Sequence, residues 1–226
     1  MKLNNMITNL VRIIAIAGLI VGCKGIVVKA IDLKKSEQTA KELKTDTKTD
    51  TLKSKNEDYR FWLKVEGTQI DYPVVQAEDN DFYLSRDFNK EESIAGTPFL
   101  DYRNDSLNDK NTILYAHHMK NGSMFGELKK FKDEDFFKSN KKVTIEMNGE
   151  INTYEVFSVY VTAGTTDYLK VDFFENEYEE YLNNAIEKSM YKSEVKVDKD
   201  DKIVTFSTCS YEFENARTVV HAKLVK

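Results

Sequence analysis

Two cysteines occur in the 226 residues, Cys23 and Cys209. If the body of the chain lies outside the cell, it contains one thiol, Cys209. A single unpaired thiol in a secreted domain points to nucleophilic or pairing chemistry, because the thiolate is the reactive species. A buried, inert Cys is the plain alternative. The local sequence Lys202-Ile203-Val204-Thr205-Phe206-Ser207-Thr208-Cys209 reads as a strand ending in small hydroxyl residues at the thiol. Arg217 opens the next strand. If the two strands pair across their loop, Arg217 returns close to Cys209. A fixed cation there favours the thiolate and can hold a developing oxyanion. A surface salt bridge is the other reading of that Arg.

A thiol nucleophile that cleaves an amide needs a proton donor for the leaving amine. Three histidines are available: His117, His118 and His221. His117 and His118 are adjacent on a strand, so they face opposite sides and only one can point into a given site. His221 lies four residues beyond Arg217 and shares its face. These residues alone do not choose among them. Cys209 with three scattered histidines lacks zinc-ligand spacing, so no metal site is expected.

The elements that must position these groups read as mostly β. Tyr59–Val65 is a short helix or an entry strand. Thr68–Val75 is a strand that Pro73 confines to an edge or strand end. Asp79–Leu84 is one helical turn, and Thr97–Tyr102 and Thr112–His118 are strand-like. Ser123–Phe131 and Asp133–Lys138 suggest short helices. Lys142–Met147 and Ile151–Thr162 flank Asn148-Gly149, a strong hairpin signal. Phe174, Tyr178, Tyr181, Leu182, Ala185 and Ile186 recur at helical spacing, with Asp172 and Glu175 resembling a capping box. Ile203–Thr208 and Arg217–Val225 close the chain. Seven or so short strands with one substantial helix argue for a β-barrel with insertions. There is no βαβ alternation and no Gly-rich phosphate loop.

Charge divides the chain. Residues 1–55 hold 11 basic and 5 acidic side chains, and residues 56–226 hold 22 and 33. So acidic a body is a poor match for nucleic acid. Residues 1–31 read as a membrane address: 13–22 carry no charge, but Arg12 and Lys24 flank them closely. That makes a short transmembrane anchor or a signal-peptide core. Ile20-Val21-Gly22-Cys23 also fits the pattern before a lipid-modified Cys. Residues 32–55 are rich in Lys, Thr, Asp and Glu and read as a charged, solvated tether with almost nothing apolar to bury. Residues 56–226 read as the folded body, the domain that would carry any catalysis.

Thr205-Phe206-Ser207-Thr208-Cys209 resembles the T-L-x-T-C signature of sortases, with Phe in place of Leu. Arg217 stands where their essential Arg follows the Cys, and Ala116-His117 resembles their small residue before the His. Phe61 to Val75, Asn80 to Leu84, Gly96 to Asn104, Gly122 to Phe125 and the helix at 172–190 are similar to class B sortases in particular. The resemblance implies an eight-stranded sortase-type barrel with N-terminal helices and a helix inserted before the Cys strand. It implies a membrane-anchored cysteine transpeptidase, with no cofactor, on the outer face of a Gram-positive cell. Its partners would be a secreted protein with a C-terminal sorting signal and a peptidoglycan-precursor amine.

By that resemblance Cys209 attacks the carbonyl after a Thr, Arg217 steadies the oxyanion, and His117 protonates the leaving amine. The family pattern selects His117 over His118. A peptide groove of Asn80, Leu84, Tyr115, Tyr168, Leu169, Ser207 and Thr208 is also implied. Ser210 departs from the acidic residue often found after the Cys. Two other functions fit parts of the chain: a cysteine hydrolase in which water resolves the acyl enzyme, and a non-catalytic surface lipoprotein anchored through Cys23.

Overall fold

The structure, a computed structural model, describes residues 27–28, 30–35, 38–39, 41–44, 49–165 and 167–225. The apolar run 13–22 and Cys23 lie outside the described residues, and so does the reading of them as an anchor. Among the described residues no helix is long and apolar enough to cross a membrane.

Eight strands form a closed barrel. They are β1 (Tyr59–Val65), β2 (Asp71–Val75), β3 (Phe99–Leu100), β4 (Asn111–Tyr115), β5 (Lys142–Met147), β6 (Glu150–Ala163), β7 (Ile203–Cys209) and β8 (Ala216–Leu224). Their order around the wall is β1-β2-β3-β4-β7-β8-β6-β5, and β5 pairs with β1 to close it. The pairs β2/β3 and β4/β7 are parallel; the others are antiparallel. Closure leaves no long unpaired edge, the usual hazard of an all-β domain.

Alternation along the strands builds the core. Phe61, Leu63 and Val65 of β1 point inward with Val143 and Ile145 of β5, Val204 and Phe206 of β7, and Val220 and Ala222 of β8. Burying each such side chain contributes about 1.5–3 kcal/mol. Asn148 and Gly149 both take positive φ, at 54° and 80°, so the Asn-Gly hairpin forms between β5 and β6 as its sequence requires. Pro73 is tolerated because β2 meets β3 only at Val75↔Phe99, leaving the ladder on that side short.

Helices cover the barrel. Besides the helical residues described within 27–44, these include α1 (Thr49–Lys55), α2 (Glu134–Ser139) and α3 (Glu177–Glu187), with 3-10 turns at Phe82–Leu84 and Gly126–Lys132. Asp133 caps α2 by accepting a hydrogen bond from the Phe136 N–H. Helix α3 lays Tyr178, Tyr181, Leu182 and Ala185 on Phe157 and Ile203. A bulge between Val156 and Ser158 turns Phe157 out toward this second core.

Two expectations need correction. The helix begins at Glu177, not near Asp172, and Phe174 is 76% exposed, so the Asp172/Glu175 pair is not its cap. Helical spacing extends by chance into the preceding loop. The segment 32–55 also does have apolar groups to bury: Leu43 and Leu52 are 4% and 3% exposed, packed with Tyr59, Val75, Tyr83, Phe88 and Phe99. Two isolated leucines give no periodic signal, yet each fills a groove on the barrel wall. Ion pairs of Lys35 with Glu91 and Lys44 with Asp71 lie along the same contact.

Candidate active site

Strand β7 is the spine of the site. It lies between β4, parallel, and β8, antiparallel. The β7/β8 register sets Cys209 opposite Arg217, so the loop between them returns the guanidinium to the thiol's level. The β4/β7 register sets Tyr115 beside Ser207. Strand β4 and this ladder end there; His117 follows two residues later, outside the strand, with its ring on the Leu84 carbonyl. Alternation along β7 places Ser207 and Cys209 on one face, with Tyr115 beside Ser207.

Tyr168, from the loop between β6 and α3, closes this face. Its hydroxyl lies 3.0 Å from Ser207 Oγ. Burial pushes that hydroxyl's pKa up, the Ser207 hydrogen bond and the Arg217 charge pull it down, and Cys209 pushes it up. Tyr168 therefore lies within electrostatic range of both groups. Its ring packs with Tyr160, Val219 and Leu169.

Each candidate group has defined partners. Cys209 is a free thiol and is half-buried. Arg217 donates through Nη1 to the Ala216 and Asn215 carbonyls at 3.0 and 3.3 Å, and pairs with no carboxylate among the described residues. Its charge is not neutralised by a neighbour. His117 Nε2 lies 2.7 Å from the Leu84 carbonyl, which can only accept, so Nε2 carries a proton. That leaves Nδ1 as the nitrogen that gives or takes a proton in a reaction.

The other two histidines have separate positions. His118 turns its Nδ1 to the Cys209 carbonyl at 2.8 Å. His221 is fully buried between Thr205 Oγ1 and Tyr160 OH, at 2.8 and 2.9 Å, and burial pushes its pKa down to about 3. A neutral ring held on both sides is structural here.

Of the expected groove residues, the structure brings Leu84, Tyr115, Tyr168, Leu169 and Ser207 around this face and Asn80 to its support. Asn80 Nδ2 and Tyr115 OH both donate to Asp101 Oδ2, at 3.1 and 2.8 Å. Thr208 is not brought there: its hydroxyl donates to the Ala116 carbonyl at 2.8 Å on the opposite side of β7. Alternation separates it from Ser207 and Cys209.

Sequence reasoning missed the hub beneath the groove. Asp101 is fully buried, takes a two-pronged contact from Arg103 at 2.8 Å on each oxygen, and receives Tyr115 and Asn80 as well. Burial pushes its pKa up, but the Arg103 and Tyr115 hydrogen bonds outweigh it and hold the carboxyl below its usual range. Arg103 also donates to the Leu169 carbonyl at 3.0 Å, tying the groove's two walls together. An Asp two residues before an Arg on a loop carries no signal of its own.

Beyond the nucleophile, Ser210 Oγ accepts from Lys132 Nζ and Thr218 Oγ1 at 2.8 and 2.9 Å, and donates to Glu212. Lys132 also pairs with Glu212. The position where an acid was expected is thus a hydroxyl that relays to an acid two residues on. Among the described residues no group of three His, Cys, Asp or Glu side chains could hold a metal ion.

A family model described as the Sortase domain matches residues 63–225. Sortase B of Listeria monocytogenes is 41% identical over 178 residues, covering 77% of this chain and 72% of that protein. Sortase B of Staphylococcus aureus is 36% identical over 183 residues, covering 78% and 74%. The crystal structure of Clostridium perfringens sortase B shares 46% identity at a TM-score of 0.76, covering 78% of this chain and 99% of that one. A Staphylococcus aureus sortase B–substrate complex aligns at a TM-score of 0.79 with 30% identity, covering 87% and 99%.

Proposed function

Since the chain belongs to the sortase family of cysteine transpeptidases, in its class B branch, we propose that Cys209, His117 and Arg217 carry its acyl transfer. The substrate is a secreted protein with a C-terminal sorting signal, cut after Thr. The acceptor is an amine of a peptidoglycan precursor, and the product is a protein joined to the cell wall. The observation that supports this reading is the strand register that sets Cys209 opposite Arg217.

The Cys209 thiolate attacks the carbonyl carbon after Thr. The carbonyl π pair moves onto oxygen, and Arg217 donates hydrogen bonds to that oxyanion from N–H groups not engaged by Asn215 or Ala216. The oxyanion collapses, the C–N bond breaks, and His117 gives the proton on Nδ1 to the leaving amine. A thioester remains on Cys209. The acceptor amine attacks it, loses its proton to His117 Nδ1, and expels the thiolate. Buried Tyr168 and half-buried Tyr115 and Leu84 along the face support a groove that holds an extended peptide. Residues 1–31 anchor the chain in the cell membrane with the catalytic domain outside, and residues 32–55 join the two while packing Leu43 and Leu52 on the barrel.

The test is mass spectrometry of products from a small library of sorting-signal peptides, with and without an amine acceptor. The expected result is cleavage after Thr, with amide product appearing only when the amine is added. Water resolving the intermediate equally well in both cases would make the protein a hydrolase. Cys209→Ala must abolish both reactions while the melting temperature holds; turnover above a few per cent of wild type would overturn the assignment.

A further inference from the structure

His118 is adjacent to His117 but serves a different atom. Strand β4 ends at Tyr115, and its ladder with β7 ends at Tyr115↔Ser207. The next β7 carbonyl on that side belongs to Cys209 and has no backbone donor from β4. His118 Nδ1 fills the gap, 2.8 Å from that oxygen. A carbonyl only accepts, so Nδ1 carries the proton and the tautomer is fixed. Thr208 Oγ1 bonds the Ala116 carbonyl one residue earlier, so side chains on both strands continue the ladder where the backbones have separated.

The ring is held from outside as well. Tyr211, two residues past the nucleophile, packs edge-on against it with centroids 5.2 Å apart. The backbone of His118 is bridged to Met124. The ring thus ties the chain after β4 to the peptide group that carries the thiol.

We propose that His118 is a positioning residue for the nucleophile, acting through the Cys209 carbonyl and not on the substrate. The proposal rests on Cys209 being the nucleophile. The hydrogen bond fixes the rotation of the Cys209 peptide, and with it the direction from which Sγ meets the scissile carbonyl. Both adjacent histidines therefore matter to one site. The chain leaves strand geometry after Tyr115, so the second need not point at the groove to reach the thiol's own backbone.

The amide nitrogen of Asn stands the same number of bonds from Cα as His Nδ1, whereas that of Gln stands one further. Steady-state kinetics of His118→Ala, His118→Asn and His118→Gln on one peptide substrate, each with its melting temperature, decide the matter. Loss of this half-buried hydrogen bond predicts about a tenfold fall in kcat for His118→Ala with KM changed less than about threefold. His118→Asn should stay within about threefold of wild type in both. His118→Gln should fall with Ala. A wild-type kcat in His118→Ala, a loss confined to KM, or equal activity of the Asn and Gln variants would overturn it. If His118→Ala does not fold, the Asn–Gln difference alone decides. Activity in Cys209→Ala would overturn the nucleophile instead, which separates the two failures.

Discussion

Acidifying the protein should remove the support that His221 gives the fold, and the amount follows from its surroundings. Thr205 donates its hydroxyl proton to Asn111 Oδ1 at 2.6 Å, so it accepts from His221 Nδ1. His221 Nε2 then takes the Tyr160 proton. The neutral ring is fully satisfied, and a second proton on it has no acceptor free. Burial, helped by the Lys188 charge, pushes the pKa down from 6.5 to about 3. The folded state binds this proton more weakly than the unfolded chain. The contribution is therefore fully present above pH 6.5 and is lost as pH falls towards 3. Each pH unit in that window costs about 1.4 kcal/mol, so at pH 4.5 the loss is about 3 kcal/mol. His221→Gln stays polar but does not titrate. Denaturant unfolding of both proteins at pH 7 and pH 4.5 should show the wild type's advantage shrinking by about 3 kcal/mol. An unchanged gap, or a His221 ring resonance titrating near pH 6, would refute the reasoning.

Arg217→Lys separates charge from geometry: a compact ammonium replaces a planar fork. Turnover should fall on the order of 100-fold, while alkylation of Cys209 by a small probe changes less than about tenfold; equal losses would assign Arg217 to the thiolate. At Gly96, with φ of +62°, a Cβ would stand 2.5 Å from the Tyr83 carbonyl oxygen and 2.8 Å from that of Leu84, the atom that holds His117. Gly96→Ala should cost at least about 1–2 kcal/mol in unfolding free energy and reduce kcat; a stable variant with intact kcat would show that the His117 anchor is dispensable. A chain starting at Asn56 loses Leu43 and Leu52, and calorimetry should find it roughly 3 kcal/mol or more less stable than one starting at Val27. Equal stability would mean that those leucines do not pack on the barrel in solution.

Strand residues were legible because alternation and turn chemistry act locally. Asn148-Gly149 and the apolar positions of β5 to β8 signal their places without tertiary information. Cys209 and Arg217 were legible for the same reason, since a short loop between two strands brings its ends together. The Asp101 hub was not, because its partners Asn80, Arg103 and Tyr115 come from three separate segments that meet only when β3 pairs with β4 and the loop that carries Asn80 folds over them. Nor was the role of His118: strict alternation separates it from the site, and the departure of the chain from β4 restores it. Thr208 shows the reverse, drawn to the site by its neighbours in sequence and removed by alternation.

The parallel seam between β4 and β7 has a consequence for the order in which the molecule is made. Pairing Tyr115 with Ser207 joins segments far apart in the chain, a contact of high order that forms slowly. Strand β7 also needs β8, the last strand, on its other side. A nascent chain can assemble β1 with β2, and β5 with β6, while its end is still being synthesised. It cannot hold Cys209, His117 and Arg217 together until the final strand is released. Before that, the strand that carries the thiol lacks its β8 neighbour, and Arg217 is not fixed beside it. Whatever reactivity Arg217 lends Cys209 is therefore a late property of the chain, absent from any chain that ends before β8.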